Sequence, residues 1–307
     1  MSSTNNLNLK KWAAAASVSV ASILSIIKAA AAVWTGSLSV LSSMIDSLSD
    51  VISSLVTMVA VRFSDRPLTD KHRYGYGKIE CVSALVQAAF IAGSAAFILY
   101  DGINRFITPV KMQQTAVGIV IMIISLLFTF ALIVFQKYVV KKTASKAIAA
   151  DSAHYVVDVL SNLSVIVSLI VVRLFHIEWF DVLIAVLIAI YLLINAYQIT
   201  AEALAEITDE EVDEKIKQKI IDITCKVDGI KGCHDFRSRA AGSRIFIEMH
   251  IELDGNLTLY QAHTITDEVE NQITEVYPQA QIIIHQDPYG IKENRLDHQI
   301  NGTSFGA

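Results

Sequence analysis

The sequence predicts an α-helical membrane protein: six transmembrane helices followed by a small α+β domain of order αββαβ. Two observations carry this. Hydrophobic residues make up 53% of the 307 and charged ones only 18%, with a mean hydropathy of +0.47, too apolar for an ordinary soluble chain of this length. The apolar runs are also long and nearly free of charge up to about residue 203, after which charge density becomes normal.

A hydrocarbon core of about 30 Å needs about 20 apolar residues in helix. Six segments meet that length: 12–34, 38–63, 79–104, 114–138, 147–174 and 180–203. The N-terminal segment lacks the short apolar stretch and cleavage pattern of a signal peptide, so 12–34 reads as the first span. Lys10, Lys11, Arg66, Lys71, Arg73, Lys78, Lys141 and Lys142 flank the spans on one side, against Arg105, Lys111 and Arg173 on the other. The positive-inside rule then puts both termini in the cytosol. The division is 1–11 as a cytosolic N-terminus, 12–204 as the membrane domain, 205–290 as a cytosolic domain and 291–307 as a polar, disordered tail.

Asp46 and Asp50 lie four residues apart in the second span and so share one helical face; His154 and Asp158 repeat the spacing in the fifth. An ionisable group in hydrocarbon costs several kcal/mol unless paired, hydrated or bound to a cation. The two pairs can converge as one nitrogen and three oxygens, a four-coordinate set suited to Zn²⁺ or a similar divalent ion. Lys28 lies near the outer end of the first span and reads as snorkelling to the interface. Asp151 reads as an interfacial carboxylate satisfied by solvent.

After residue 204 the pattern is a helix at 209–227, strands at 232–240 and 243–253, a helix at 259–277 and a strand at 281–286, a ferredoxin-like order with helices on one face of a small sheet. In the second strand Ile245, Ile247, Met249, Ile251 and Leu253 alternate with Phe246, Glu248, His250 and Glu252, which places His250 on the face away from the core. His285 and Asp287 are two apart and point the same way; with His234, His250 and His263 they suggest a metal cluster drawn from separate elements.

Asp and Glu dominate from Glu202 onward, which makes nucleic acid a poor partner. Walker A and His-Glu-x-x-His sequences are absent, so an enzyme has no support. The three cysteines, Cys81, Cys225 and Cys233, show no Cys-x-x-Cys spacing, and their odd number argues against a disulfide framework.

Thr35-Gly36-Ser37-Leu38-Ser39-Val40-Leu41-Ser42-Ser43-Met44-Ile45-Asp46-Ser47-Leu48-Ser49-Asp50 and His154-Tyr155-Val156-Val157-Asp158 resemble the cation diffusion facilitator family, closest to its bacterial ferrous-iron and zinc efflux pumps. The resemblance implies a homodimeric metal/proton antiporter of the bacterial inner membrane, without a bound cofactor, that exports Zn²⁺, Fe²⁺ or Cd²⁺ through Asp46, Asp50, His154 and Asp158. It also implies that His234, His250, His263, His285 and Asp287 bind a regulatory metal. The loop from Arg66 to Glu80 resembles a family signature with an Asp and two His as a peripheral site. Thr69 and Tyr76 stand where the first Asp and the second His would be; only His72 remains, which implies a feeble site or none. Two other readings stay open on the residues alone: a metal-sensing membrane protein whose spanning acids are structural, and a metal-gated channel.

Overall fold

The structure, a computed structural model, describes residues 2–35, 38–107, 116–175, 179–291, 295 and 297. Within these, the side chains of 2–6, 32, 35, 38–43, 45, 46, 101, 105–107, 116–119, 121, 161, 164–175 and 179–181 lie outside the description. The chain divides into two compact units, Met1–Leu204 and Ala205–Ala307.

The first unit consists of long helices: α1 (Ser2–Thr35), α2 (Leu38–Ser64), α3 (Ile79–Ile107), α4 (Ala116–Thr143), α5 (Lys146–Phe175) and α6 (Trp179–Ile207). Among the described residues, five contain a stretch long and apolar enough to cross a membrane: Leu7–Ala31, Ser47–Ser64, Ile79–Asn104, Met122–Thr143 and Val182–Ile207. Helix α5 is not among the five; its first half carries Asp151, His154 and Asp158. Helix α1 starts ten residues before the predicted span because hydropathy marks only the apolar part of a helix, and the polar segment before Trp12 continues the same helix.

The bundle is built with small and polar residues inside and large apolar ones outside. Trp12, Ile26, Phe97, Leu127, Phe130 and Tyr197 are exposed, whereas Ala13, Ala14, Ala60, Ala84, Ala95 and Ala147 are buried. Lipid gives apolar side chains no reason to withdraw, and small residues let helix backbones approach. Ile91 and Ala95 of α3, Val157 of α5 and Ala189, Leu192 and Ala196 of α6 form one packed cluster. Ala13 and Ala14 of α1, Val61 of α2, Val139 of α4 and Ala147 and Ile148 of α5 form another.

Two polar knots tie these helices together, and the first overturns an expectation from the sequence. Asp151 is fully buried rather than interfacial. Its Oδ2 accepts from Ser17 Oγ of α1 and from Gln136 Nε2 of α4, each at 2.6 Å. Gln87 of α3 donates to the Ser53 carbonyl and to Thr57 Oγ1, each at 2.9 Å, while Ser54 Oγ lies 2.7 Å from the Tyr155 hydroxyl and 2.8 Å from Ser17 Oγ. In the second knot Lys10, 3% exposed, donates to the fully buried Glu80 at 2.8 Å. Ser64 and Ser145 also donate to this carboxylate. Lys10 is therefore an internal counter-ion as well as a flanking charge. The residues involved are too far apart in sequence for local patterning to have shown either knot. Lys28 turns inward as well, donating to Ser47 Oγ of α2 at 2.6 Å.

The second unit contains α7 (Glu214–Thr224), β1 (Gly232–Ala241), β2 (Arg244–Leu253), α8 (Leu259–Val276) and β3 (Ala280–Pro288), in the predicted αββαβ order. The strands lie in the order β1-β2-β3, with β1 antiparallel and β3 parallel to β2. Asp213 caps α7 by accepting from the Lys215 amide, and Thr258 with Gln261 forms a capping box on α8. Ile220 of α7, Ile247, Met249 and Ile251 of β2, and Val269 and Ile273 of α8 make the core. The far face of β2 is more covered than strict alternation predicts. Phe246 is buried beneath the Arg239 guanidinium, 5.1 Å from its ring centre, and Glu252 is buried against Arg295. Of the tail expected to be disordered, Arg295 and Asp297 thus have defined places: Asp297 accepts from the Asp235 amide at 3.0 Å. Its remaining residues from 292 on lie outside the described residues.

Substituting Lys10→Ala leaves Glu80 buried without its cation and is expected to cost about 3–5 kcal/mol, whereas Lys10→Met with Glu80→Met should recover most of that. Thermal unfolding midpoints in detergent measure both; an unchanged midpoint for Lys10→Ala would mean that water already solvates the pair.

Candidate metal centres

The first centre lies where α2 meets α5. Asp50, His154 and Asp158 each offer a ligand atom, and the three atoms lie within 4.8 Å of one another. Four-residue spacing on α5 stacks His154 and Asp158 on one face, and Asp50 on α2 comes to 3.3 Å from His154 Nε2. The imidazole is 4% exposed, held edge-on between Phe90 and Tyr155 at ring separations of 6.3 and 5.9 Å. Its Nδ1 is buried with no hydrogen-bond partner among the described residues. A buried polar atom left unsatisfied in a site of carboxylates calls for a further ligand, and a nitrogen with carboxylate oxygens suits a divalent transition-metal ion. Asp46 lies on α2 one turn before Asp50; its side chain is outside the described residues.

The second centre lies on the sheet. Strand register places His234 of β1 opposite His250 of β2, and His250 beside His285 of β3, so three imidazoles form a row across all three strands. Their rings stack in sequence, His234 to His250 at 5.1 Å and His250 to His285 at 4.6 Å. Asp287 sits among them: its Oδ2 accepts from His250 Nδ1 at 2.8 Å and lies 3.5 Å from His234 Nε2, while its Oδ1 lies 3.3 Å from His285 Nε2. Two trios meet the geometry of a metal site, His234–Asp235–His250 and His250–His285–Asp287, with His250 common to both.

Asp235 was not assigned a role from the sequence. It enters because a bulge interrupts the β1–β2 register between His234 and Arg237, with Asp235 in the left-handed region at φ 50°. A bulge re-aims a side chain that alternation would send elsewhere, and the sequence carries no signal for it beyond adjacency to His234. Burial, followed by the adjoining Cys225 thiol and the charges of Glu252 and Asp297, pushes the Cys233 thiol up to about 12.

Two predicted residues stand outside these centres. His263 is exposed on α8 and pairs with Asp267 at 3.5 Å. His72 is exposed on the loop between α2 and α3, its ring 4.5 Å from that of Tyr76 and its Nδ1 3.0 Å from the Tyr76 hydroxyl, where Thr69 closes the contact at 3.3 Å. A tyrosine hydroxyl thus engages one of the two imidazole nitrogens.

Residues 14–208 match the cation efflux transmembrane domain, and residues 212–289 match the cytoplasmic domain of cation efflux proteins. The chain is 40% identical over 284 residues to the cation-efflux pump FieF of Citrobacter koseri, covering 91% of this chain and 93% of that protein. The FieF pump of Klebsiella pneumoniae is equally similar, and that of Cronobacter sakazakii is 39% identical over the same length. Among solved structures, the metal-bound C-terminal domain of the CzcD transporter from Thermotoga maritima is 26% identical, covers 26% of this chain and 93% of its own, and superposes with a TM-score of 0.25. The chain belongs to the cation efflux family, whose members are membrane transporters and not enzymes.

Proposed function

We propose that the chain is a proton-coupled antiporter that exports divalent transition-metal ions from the cytosol across the bacterial inner membrane. Zn²⁺ is the primary cargo, and Fe²⁺ and Cd²⁺ are accepted by the same ligands. The observation that carries this reading is the convergence of half-buried Asp50 and Asp158 on buried His154, which keeps an orphaned imidazole nitrogen. Asp46 supplies the fourth ligand, and α5 also crosses the membrane, as the fifth of six spans. Both termini face the cytosol, with the membrane domain at 12–204 and the cytosolic domain at 205–290.

Metal and proton compete for the same atoms, because carboxylates and imidazole must be deprotonated to ligate. Open to the cytosol, the site loads metal and releases protons; open to a more acidic exterior, protons displace the ion. His154, whose unperturbed range lies near neutral pH, is the natural exchanger. The family relatives carry the name of cation-efflux pumps, which favours export over a sensor or a passive channel.

The sheet centre is regulatory: metal held by His234, His250, His285 and Asp287 binds the folded domain and stabilises the homodimer, biasing the membrane helices. His263, on the solvent face of α8, completes the centre in the dimer. The His72 loop contributes no site of consequence.

Sealed vesicles loaded with a zinc-sensitive dye test the transport reading. Zn²⁺ uptake is expected to follow the sign of an imposed pH gradient and to vanish in Asp50→Ala. Flux indifferent to pH would favour a channel, and no flux in the native chain a sensor. A separate calorimetric titration of Asp50→Ala tests the sheet centre: adding Asp287→Ala is expected to weaken the remaining Zn²⁺ binding by at least the roughly 10–100-fold seen when a ligand's outer partner is lost.

A further inference from the structure

The chain's last two cysteines are eight residues apart, and the fold brings their sulfurs to 3.3 Å. Cys225 caps the C-terminal end of α7, its amide donating to the Ile221 carbonyl at 2.9 Å, and is exposed. Cys233, half-buried, is the second residue of β1 and pairs in register with the fully buried Ile251. The connecting turn passes through Gly229 at φ 98°, where an added Cβ would meet the Ile265 side chain at 2.8 Å. Both backbones are therefore fixed by the helix end, the strand ladder and a turn that only glycine fits.

We propose that Cys225 and Cys233 form a two-thiolate chelate for a thiophilic divalent cation, Zn²⁺ or Cd²⁺, that adjoins the histidine–aspartate centre but is separate from it.

Geometry favours this over the other uses of a thiol pair. Tetrahedral Zn²⁺ with sulfur ligands at about 2.3 Å sets the sulfurs about 3.8 Å apart, so the pair needs to open by only about half an ångström. A disulfide at about 2.05 Å requires the sulfurs to close by more than an ångström between two fixed backbones. A linear two-sulfur complex, at about twice the metal–sulfur distance of 2.3 Å, requires them to part by a similar amount.

Charge points the same way. Glu252 and Asp297 lie close enough to act electrostatically on Cys233, a surrounding that attracts a cation and repels anionic disulfides of the glutathione type. Each thiol gives its proton to solvent as its sulfur–metal bond forms, and a bound cation reverses the local preference for the neutral thiol. Water, reached through exposed Cys225, completes the coordination. The inference does not depend on the transport reading, since its ligands all lie in the C-terminal domain.

The test uses the full-length protein in detergent, reduced and then freed of reductant, titrated with Cd²⁺ while the ultraviolet thiolate-to-metal charge-transfer absorption is followed. The native chain is expected to develop this band to a limit of one Cd²⁺ per chain, to release protons as it does so, and to lose the band when Zn²⁺ is added in excess. His250→Ala should keep the band, whereas Cys225→Ser and Cys233→Ser should each lose it. Cys225 is exposed, so its replacement tests the chelate even if Cys233→Ser fails to fold. Three results would overturn the proposal: no band in a native chain whose thiols are all free, a band that survives Cys225→Ser at full strength and so does not need the pair, or the joint loss of two thiols to a reducible disulfide in place of a metal complex.

Discussion

A charge carried into hydrocarbon must find its solvation within the protein, and the helical half is organised around that constraint. Asp151 and Glu80 are buried, and each is surrounded by donors from several different helices. Because the partners come from α1, α2, α4 and the loop before α5, the helices cannot separate without stranding a carboxylate. The alanine-rich contacts between helices let the short serine and glutamine side chains reach these carboxylates. Lys10, Lys28 and the serine ladder along α2 are thus as much a part of the packing as the apolar clusters are.

Against this background the trio of Asp50, His154 and Asp158 differs in kind. Asp151, one turn before His154, accepts from Ser17 and Gln136 at Oδ2 and from Gln87 at Oδ1, whereas His154 keeps a buried nitrogen without a partner among the described residues. The two carboxylates of α5 on either side of that histidine therefore occupy opposite situations, one satisfied by the protein and one beside an unfilled donor set. A buried imidazole nitrogen that the fold leaves unsatisfied beside two carboxylates is where a cation is expected to bind.

Periodicity made most of the architecture legible. Four-residue spacing revealed the α2 and α5 pairs, and two-residue spacing put His285 and Asp287 on one face, because these patterns are local consequences of helix and strand geometry. What stayed hidden depended on contacts distant in sequence. Nothing near Lys10 announces Glu80, and nothing near Asp151 announces Gln136. The bulge that turns Asp235 toward His234 and the turn that brings Cys225 to Cys233 likewise belong to the folded sheet. Alternation also misjudged Phe246 and Glu252, whose outward face is covered by Arg239 and Arg295. The tyrosine that holds the ring of the loop histidine stands at the position where the family signature has its second histidine.

The row of histidines across β1, β2 and β3 exists in a single register. Sliding β3 by one residue along β2 would send His285 and Asp287 to the opposite face together, so a slipped pairing loses the His250–His285–Asp287 trio while His234–Asp235–His250 stays in place. A cation held by the second trio consequently binds one alignment of β2 and β3 and ignores its neighbours, and the free energy of binding is added to that alignment alone. In a nascent chain the metal would then act as a proofreader of strand order, rewarding the correct sheet before any ion has been moved across a membrane.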